Sequence, residues 1–376
     1  MRDAYILGAV RTPIGKRDGG LSGMRPDELA ADCLAELVRR TGVDPGLVED
    51  VVMGCVTQIG EQGFNIARVA ALAAGFPVTV AGTTVNRMCG SSQQAVHFAA
   101  QSVMSGAMDL AIGAGVESMS RVAMGSDGGR LSERLLDRFD LVNQGISAEF
   151  IAERWDLPRE ALDAFGLESH RRAVAAADGG RFDREVFAVG TNGKKVALDE
   201  GPRRGTSPEK MASLKSAFKE GGRITAGNSS QISDGAAAVL VGSREAAARL
   251  GLVPRARFVS FAVAGVDPTM MLTGPIPATR KALERAGLGV KDVDLFEVNE
   301  AFASVVLAWA KETGADLDRT NVNGGAIALG HPLGASGARL VTTLLHEMER
   351  RQVRYGLVTM CIGFGQGTAT LLERVA

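Results

Sequence analysis

Aromatic residues are scarce in this chain, at 5%, which leaves few platforms on which nucleobases could stack. Charge of one sign is missing too. Lys and Arg number 42 against 43 Asp and Glu, a net charge of −1, so there is no electrostatic footprint for nucleic acid or an acidic membrane. Cysteine is limited to Cys33, Cys55, Cys89 and Cys361, with no C-x-x-C; such sparse usage belongs to a reducing compartment, not to a disulfide scaffold. No apolar run reaches the roughly 18 residues of a spanning helix, and the most apolar stretch, 69–82, is broken by Pro77. The opening MRDAYILGAVRTPIG is interrupted by Arg11 and Pro13, too short for a secretory core. The closing LLERVA is not a peroxisomal address. These absences lead us to expect a soluble cytoplasmic protein with no nucleic-acid or membrane partner.

What the chain has in excess is glycine, 47 of 376 residues, against roughly 7% in an average chain. The excess follows no collagen period and sits beside 45% hydrophobic residues, which excludes a fibre and a disordered chain. The length suits about two to three domains, large enough to bury a core without a metal or disulfide staple.

Two segments repeat one plan. Residues 27–54 predict an amphipathic helix with Leu29, Cys33, Leu34 and Leu37 on one stripe, then a turn and a short strand. Residues 278–297 repeat helix, glycine turn and strand. Val85-Asn86 then precedes a glycine turn, a helix over 92–104 and a strand over 109–115, as Val322-Asn323 precedes a glycine-rich loop, a helix over 338–350 and a strand over 356–363. The halves read as copies of one βαβ-containing domain in layered α/β packing. Residues 117–225, with a helix over 160–177, read as an insertion, and 236–243 as a strand returning to the first half. The expected units are 1–116 completed by 226–250, an inserted 117–225, and 251–376.

Chemistry concentrates at a few positions. Cys89, in VNRMCGSSQQAV, precedes a helix whose free N–H groups and dipole favour thiolate; a buried structural cysteine is the plainer alternative. Cys361 ends the corresponding strand of the second half and is followed by Gly363, Gly365 and Gly367, a loop that can offer N–H groups to an oxyanion or phosphate or simply turn the chain. His331 stands before Pro332 among five glycines between 324 and 337. His97, His170 and His346 fall inside helices, where core or surface roles suit them better. Asn299 follows a buried strand and could be a helix cap. One His and two Cys have no chelate spacing and lack a fourth ligand, so no metal is expected.

NRMCGSS (86–92), TAGNSS (225–230), NEAFA (299–303), GHPLGASGAR (330–339) and the C-x-G-x-G-x-G of Cys361 to Gly367 together resemble the thiolase family. So do the opening AVRTPIGK and the segment GPIPATRKALE, and the order of these motifs fits along the whole chain. The resemblance implies a five-layered αβαβα architecture of two repeated α/β domains with an inserted loop domain. It implies an acyltransferase of fatty acid metabolism that makes or cleaves 3-ketoacyl-CoA by Claisen chemistry. Cys89 would be the nucleophile, His331 its base and a donor to the thioester oxygen, and Cys361 the general acid/base. Asn299 would hold a water that, with His331, stabilises the enolate, and the N–H groups of Cys89 and Gly363 would form a second oxyanion hole. For coenzyme A, the matching positions are Ser230 and Ala226 along the pantetheine, Phe218, Met271 and Phe302 around it, and Arg203 near the nucleotide, with Arg204 adjacent as an alternative. Coenzyme A is then a substrate, no prosthetic group is needed, and a homodimer or homotetramer is expected.

Three departures bear on specificity. The family's C-G-S-G reads Cys89-Gly90-Ser91-Ser92, its C-x-G-G-G carries Phe364, and the His-Met-Gly of short-chain members reads Asn143-Gln144-Gly145. A phenyl group at 364 is expected to reshape the site, and 143–145 to favour a broader, longer, branched or ring-derived ketoacyl group. Two other functions share the resemblance: an inactive thiolase-like acyl-CoA-binding protein, and a ketoacyl synthase of the same superfold. The presence of Cys89, His331, Cys361 and Asn299 argues against the first, and the lack of paired histidines against the second.

Overall fold

The computed structural model describes residues 2–191 and 193–375. Its strands in the first half of the chain are β1 (Tyr5–Arg11), β2 (Gly15–Lys16), β3 (Asp50–Gly54), β4 (Ala81–Val85), β5 (Leu110–Ser118), β6 (Val189–Thr191) and β7 (Lys194–Val196). Those that follow are β8 (Ser233–Gly242), β9 (Ala256–Gly265), β10 (Leu295–Val298), β11 (Tyr355–Ile362) and β12 (Gln366–Arg374). The early helices are α1 (Pro26–Thr41), α2 (Ile66–Ala73), α3 (Ser91–Ser105), α4 (Glu133–Leu136), α5 (Gln144–Arg154), α6 (Arg159–Asp178) and α7 (Pro208–Ala212). The later ones are α8 (Arg244–Leu250), α9 (Pro275–Ala286), α10 (Ala303–Thr313), α11 (Ala326–Leu329) and α12 (Ser336–Arg351).

Hydrophobic patterning explains the layering. Strands β5 and β8 are buried throughout and apolar except at the end that carries Glu117, Ser118, Ser233 and Asp234, as suits strands covered on both faces. Helix α1 buries Leu29, Cys33, Leu34 and Leu37 on one stripe and ends at Gly42 with φ 71°, the left-handed stop that glycine adopts without strain. It packs with α2 on one outer face, against β1 and β8, while α9 covers β9 and β12 on the other and α10 packs against α9. Between the sheets lie α3 and α12, in contact with each other and with strands on both sides. The result is helix, sheet, helix, sheet, helix.

The two half-sheets are continuous. The order is β10-β11-β12-β9-β1-β8-β5-β3-β4, and the halves join where Tyr5 and Ile6 pair antiparallel with Arg257 and Ala256. Among the described strands, β3 pairs parallel with β4 and β5, and β10 with β11. That arrangement sends the C-terminal ends of β4, β10 and β11 to the starts of α3 and α10 and to the β11–β12 turn. In open α/β sheets this is where ligands bind.

Candidate active site

Cys89 sits in the turn between β4 and α3, after Met88, whose φ of 45° is left-handed. A bulky residue in that region stores strain, which the surrounding packing must hold. The helix starts at Ser91, and the backbone N–H groups of Gly363 and of Cys89 itself lie near the Cys89 sulfur and pull its thiol pKa down. Burial nevertheless dominates, raising the thiol to about 11 against the pull of those two donors. The expected thiolate at a helix start is therefore not the resting form: desolvation outweighs the helix end. Gly90 abuts Ile362, and Met88 lies beside Gly363, so the nucleophile turn is pressed against the end of β11. Cys361 is there too, 1% exposed, its thiol pushed upward by burial and by the neighbouring Cys89.

His331 is oriented by its own loop. Its Nδ1 lies 2.6 Å from Ser336 Oγ, and that hydroxyl donates to the carbonyl of Pro332 at 2.8 Å. The hydroxyl proton being spent, Ser336 accepts Nδ1–H, which leaves Nε2 bare. Asn299 Nδ2 stands 3.3 Å from Nε2 and donates to it. Burial, reinforced by the Arg339 charge, lowers the imidazole to about 3, so it stays neutral through the physiological range. Asn299 is no helix cap: it is fully buried just before α10, held by N–H donation to Thr359 O at 3.0 Å. Its Oδ1 has no hydrogen-bond partner among the described residues.

Residues to which the sequence assigned no role hold these groups in place. Buried Glu117, at the end of β5, accepts the N–H groups of Val56, Thr57 and Gly334 at 2.9, 3.1 and 2.8 Å, fixing the His331 loop to the first half. Glu300 accepts from Ser169 Oγ, Asn321 Nδ2 and the N–H of Ile327 at 2.6, 2.9 and 3.1 Å. Ser92, which stands where the family has glycine, accepts the N–H of Ala338 at 2.9 Å, satisfying one of the orphan donors at the start of α12. Gly330 adopts φ 112°, and a side chain there would overlap Ser233 and Ile14. Only Ser336 carried a local signal, five residues after His331; Glu117 acts across 217 residues of sequence.

A cavity of about 470 Å³ opens beside His331, lined among others by Gln144, Phe218, Ala226, Ser230 and Phe302. Phe218 and Phe302 meet edge-on, ring centroids 5.9 Å apart, and Ser230 N–H donates to Ala301 O at 2.9 Å, tying the TAGNSS and NEAFA loops together. A second cavity of about 480 Å³ shares Ala226 and Gln231 with the first and reaches Arg203, Lys210 and Thr206. The two form a path from the imidazole to a basic mouth. Arg204 is spent on Asp178, its Nη1 2.7 Å from Oδ2, whereas Arg203 makes no side-chain ion pair among the described residues. Met271 differs from expectation: it is buried in the apolar cluster with Phe302 and Cys361 and lines neither cavity. Phe364 differs as well. It is 43% exposed, at φ 60°, and outside the cavity lining, because the turn carries its side chain away from the site.

A buried thiol under two backbone N–H donors, a second thiol beside it and a neutral imidazole make a site for nucleophilic acyl transfer, on a five-layered αβαβα scaffold. The chain belongs to the thiolase family: residues 4–245 match the thiolase N-terminal domain and 252–374 the thiolase C-terminal domain. A steroid 3-ketoacyl-CoA thiolase of Mycobacterium tuberculosis is 49% identical over 388 residues, covering 100% of this chain and 95% of that protein. A beta-ketoadipyl-CoA thiolase of Escherichia coli is 45% identical over 401 residues, with 100% of both covered. The crystal structure of the Bacillus anthracis acetyl-CoA acetyltransferase superposes with a TM-score of 0.93 at 39% identity, covering 100% of this chain and 99% of that one. The protein is an acyltransferase that acts on coenzyme A thioesters.

Proposed function

We propose that this thiolase acts on 3-ketoacyl-CoA substrates bulkier than acetoacetyl-CoA, through an acyl-enzyme on Cys89. His331 Nε2 takes the thiol proton, the Cys89 sulfur attacks the thioester carbonyl, and the departing thiolate carries the bond electrons away. In condensation, Cys361, having given its proton to the departing thiolate, removes an α-proton from a second acetyl-CoA, and the enolate displaces Cys89 as thiolate, which takes back the proton held by His331. Thiolysis is the reverse. The N–H groups of Cys89 and Gly363, already aimed at the sulfur, are suited to the tetrahedral oxyanion, and Asn299 with His331 to the enolate. Thiolate and acid–base chemistry need no prosthetic group.

The observation that carries the substrate reading is the cavity wall. Met119, Met124, Ile232 and Leu333 line it, and Gln144 stands in place of the short-chain family's methionine. Relatives named for steroid and ketoadipyl substrates support the same direction. Coenzyme A would lie along Phe218, Phe302, Ala226 and Ser230, its phosphates near Arg203, with Met271 supporting Phe302 from behind. Thiolysis rates across a series from acetoacetyl-CoA to long and ring-bearing 3-ketoacyl-CoAs test this. The expected result is a higher kcat/KM for the bulky members; a maximum at acetoacetyl-CoA would contradict it.

The domain division proposed is 1–116 with 226–250, an inserted 117–225, and 251–376; the position of β8 between β1 and β5 supports it. We propose a homodimer or homotetramer in the cytoplasm. No described helix is long and apolar enough to cross a membrane, and the four cysteines are free and buried.

A further inference from the structure

The buried guanidinium of Arg339 lies near the site and is not used by the chemistry above. Arg339 is 1% exposed, and all three of its side-chain nitrogens lack hydrogen-bond partners among the described residues. Its nearest counter-charge is Glu297, Nη1 to Oε2 3.6 Å, and that oxygen is unpartnered too. Burying such groups half-satisfied is costly, and a well-packed apolar pair of similar volume is often at least as stable. Packing alone does not account for them.

Their positions do. Arg339 lies three residues after Ser336 and therefore on the same face of α12. Ser336 is the residue that accepts Nδ1–H of His331. Glu297 lies two residues before Asn299 and so on the same side of the β10 segment. The pair joins the two elements that carry the two halves of the His331–Asn299 contact. The Cys89 sulfur, by contrast, is addressed by N–H groups of its own turn and of the β11 end, which the pair does not touch. Arg11, Glu185 and Glu300 also act on this guanidinium.

We infer that Arg339 and Glu297 are positioning residues, which hold Asn299 at its distance from His331 Nε2 and so tune enolate formation more than acylation. The inference rests on the roles proposed above for His331 and Asn299.

The test separates the two half-reactions. Acylation is followed by mass spectrometry of Cys89 with acetyl-CoA, and enolate formation by loss of deuterium from the methyl group of labelled acetyl-CoA. The variants are the double replacement Arg339→Met with Glu297→Leu, and the near-isosteric Glu297→Gln. The double variant should melt no lower than the wild type, acylate within about threefold of it, and exchange deuterium at least tenfold more slowly. Glu297→Gln should slow exchange several-fold at unchanged melting temperature. Unchanged exchange in both variants would overturn the inference. So would a parallel fall of both half-reactions, or a double variant that does not fold, since either assigns the pair to stability alone. Asn299→Ala is the control: if it leaves exchange intact, the reading of the site has failed and this inference falls with it. If it slows exchange while the pair variants do not, only the inference has failed.

Discussion

At the scale of single residues, the neutral imidazole is the most exposed part of the account. Burial lowers His331 to about 3, below its unfolded value, so it should remain uncharged as pH falls through 6 and 5. Nitrogen-15 NMR of histidine-labelled protein should show His331 protonated on Nδ1 only at pH 6; a charged ring there would contradict the hydrogen-bond assignment. Cys89 has the opposite shift, raised to about 11 by burial, so its thiolate is disfavoured in the free enzyme. Alkylation of Cys89 by iodoacetamide should still be climbing between pH 7 and 9. A plateau already reached at pH 7 would show that the donors outweigh burial. Phe364 occupies a left-handed conformation that costs a non-glycine residue roughly 1–2 kcal/mol, and it is outside the cavity lining. Phe364→Gly should raise stability by up to about 1 kcal/mol once glycine's greater unfolded-state entropy is counted, with turnover unchanged. Chemical denaturation and the thiolysis assay check both halves of that statement.

At the scale of elements, the chain was legible where apolar periodicity or a short motif is local. The stripe Leu29, Cys33, Leu34 and Leu37 is buried in α1, and the helices expected over 160–177, 92–104 and 338–350 begin one or two residues earlier than their patterns imply. For α3 and α12 the shift has a physical cause: Ser91 and Ser336 are polar yet belong to the first turns, their hydroxyls bonding to backbone carbonyls. Glu117 and the Arg339–Glu297 pair were not legible, because their partners lie on elements far away in sequence. The glycines gained a specific meaning. Gly330→Ala should cost about 1–3 kcal/mol, since φ 112° and the contact with Ser233 both penalise a side chain. It should also slow turnover by displacing His331. Wild-type stability and rate together would refute that.

At the scale of the whole molecule, the joining of two half-sheets through Tyr5 and Ile6 had no sequence signature, because two paired residues leave no pattern to read. The free edge is more informative. Strand β4 ends the sheet with exposed backbone, near Val78 at 79% exposure and Phe64 at 95%. An open edge flanked by apolar side chains is a ready template for a second chain. Thr84→Pro, which removes an N–H on the side of β4 away from β3, should convert the proposed oligomer to monomer by analytical ultracentrifugation. An unchanged mass would place the interface elsewhere.

The proposed chemistry turns on one covalent event. Mixing the protein with a bulky 3-ketoacyl-CoA or with acetyl-CoA, quenching in acid and mapping peptides by mass spectrometry should find the acyl group on Cys89 and on no other cysteine. Cys89→Ala should carry none, and Cys361→Ala should acylate but fail to condense. An acyl group on Cys361, or none on either cysteine in folded protein, would contradict the account.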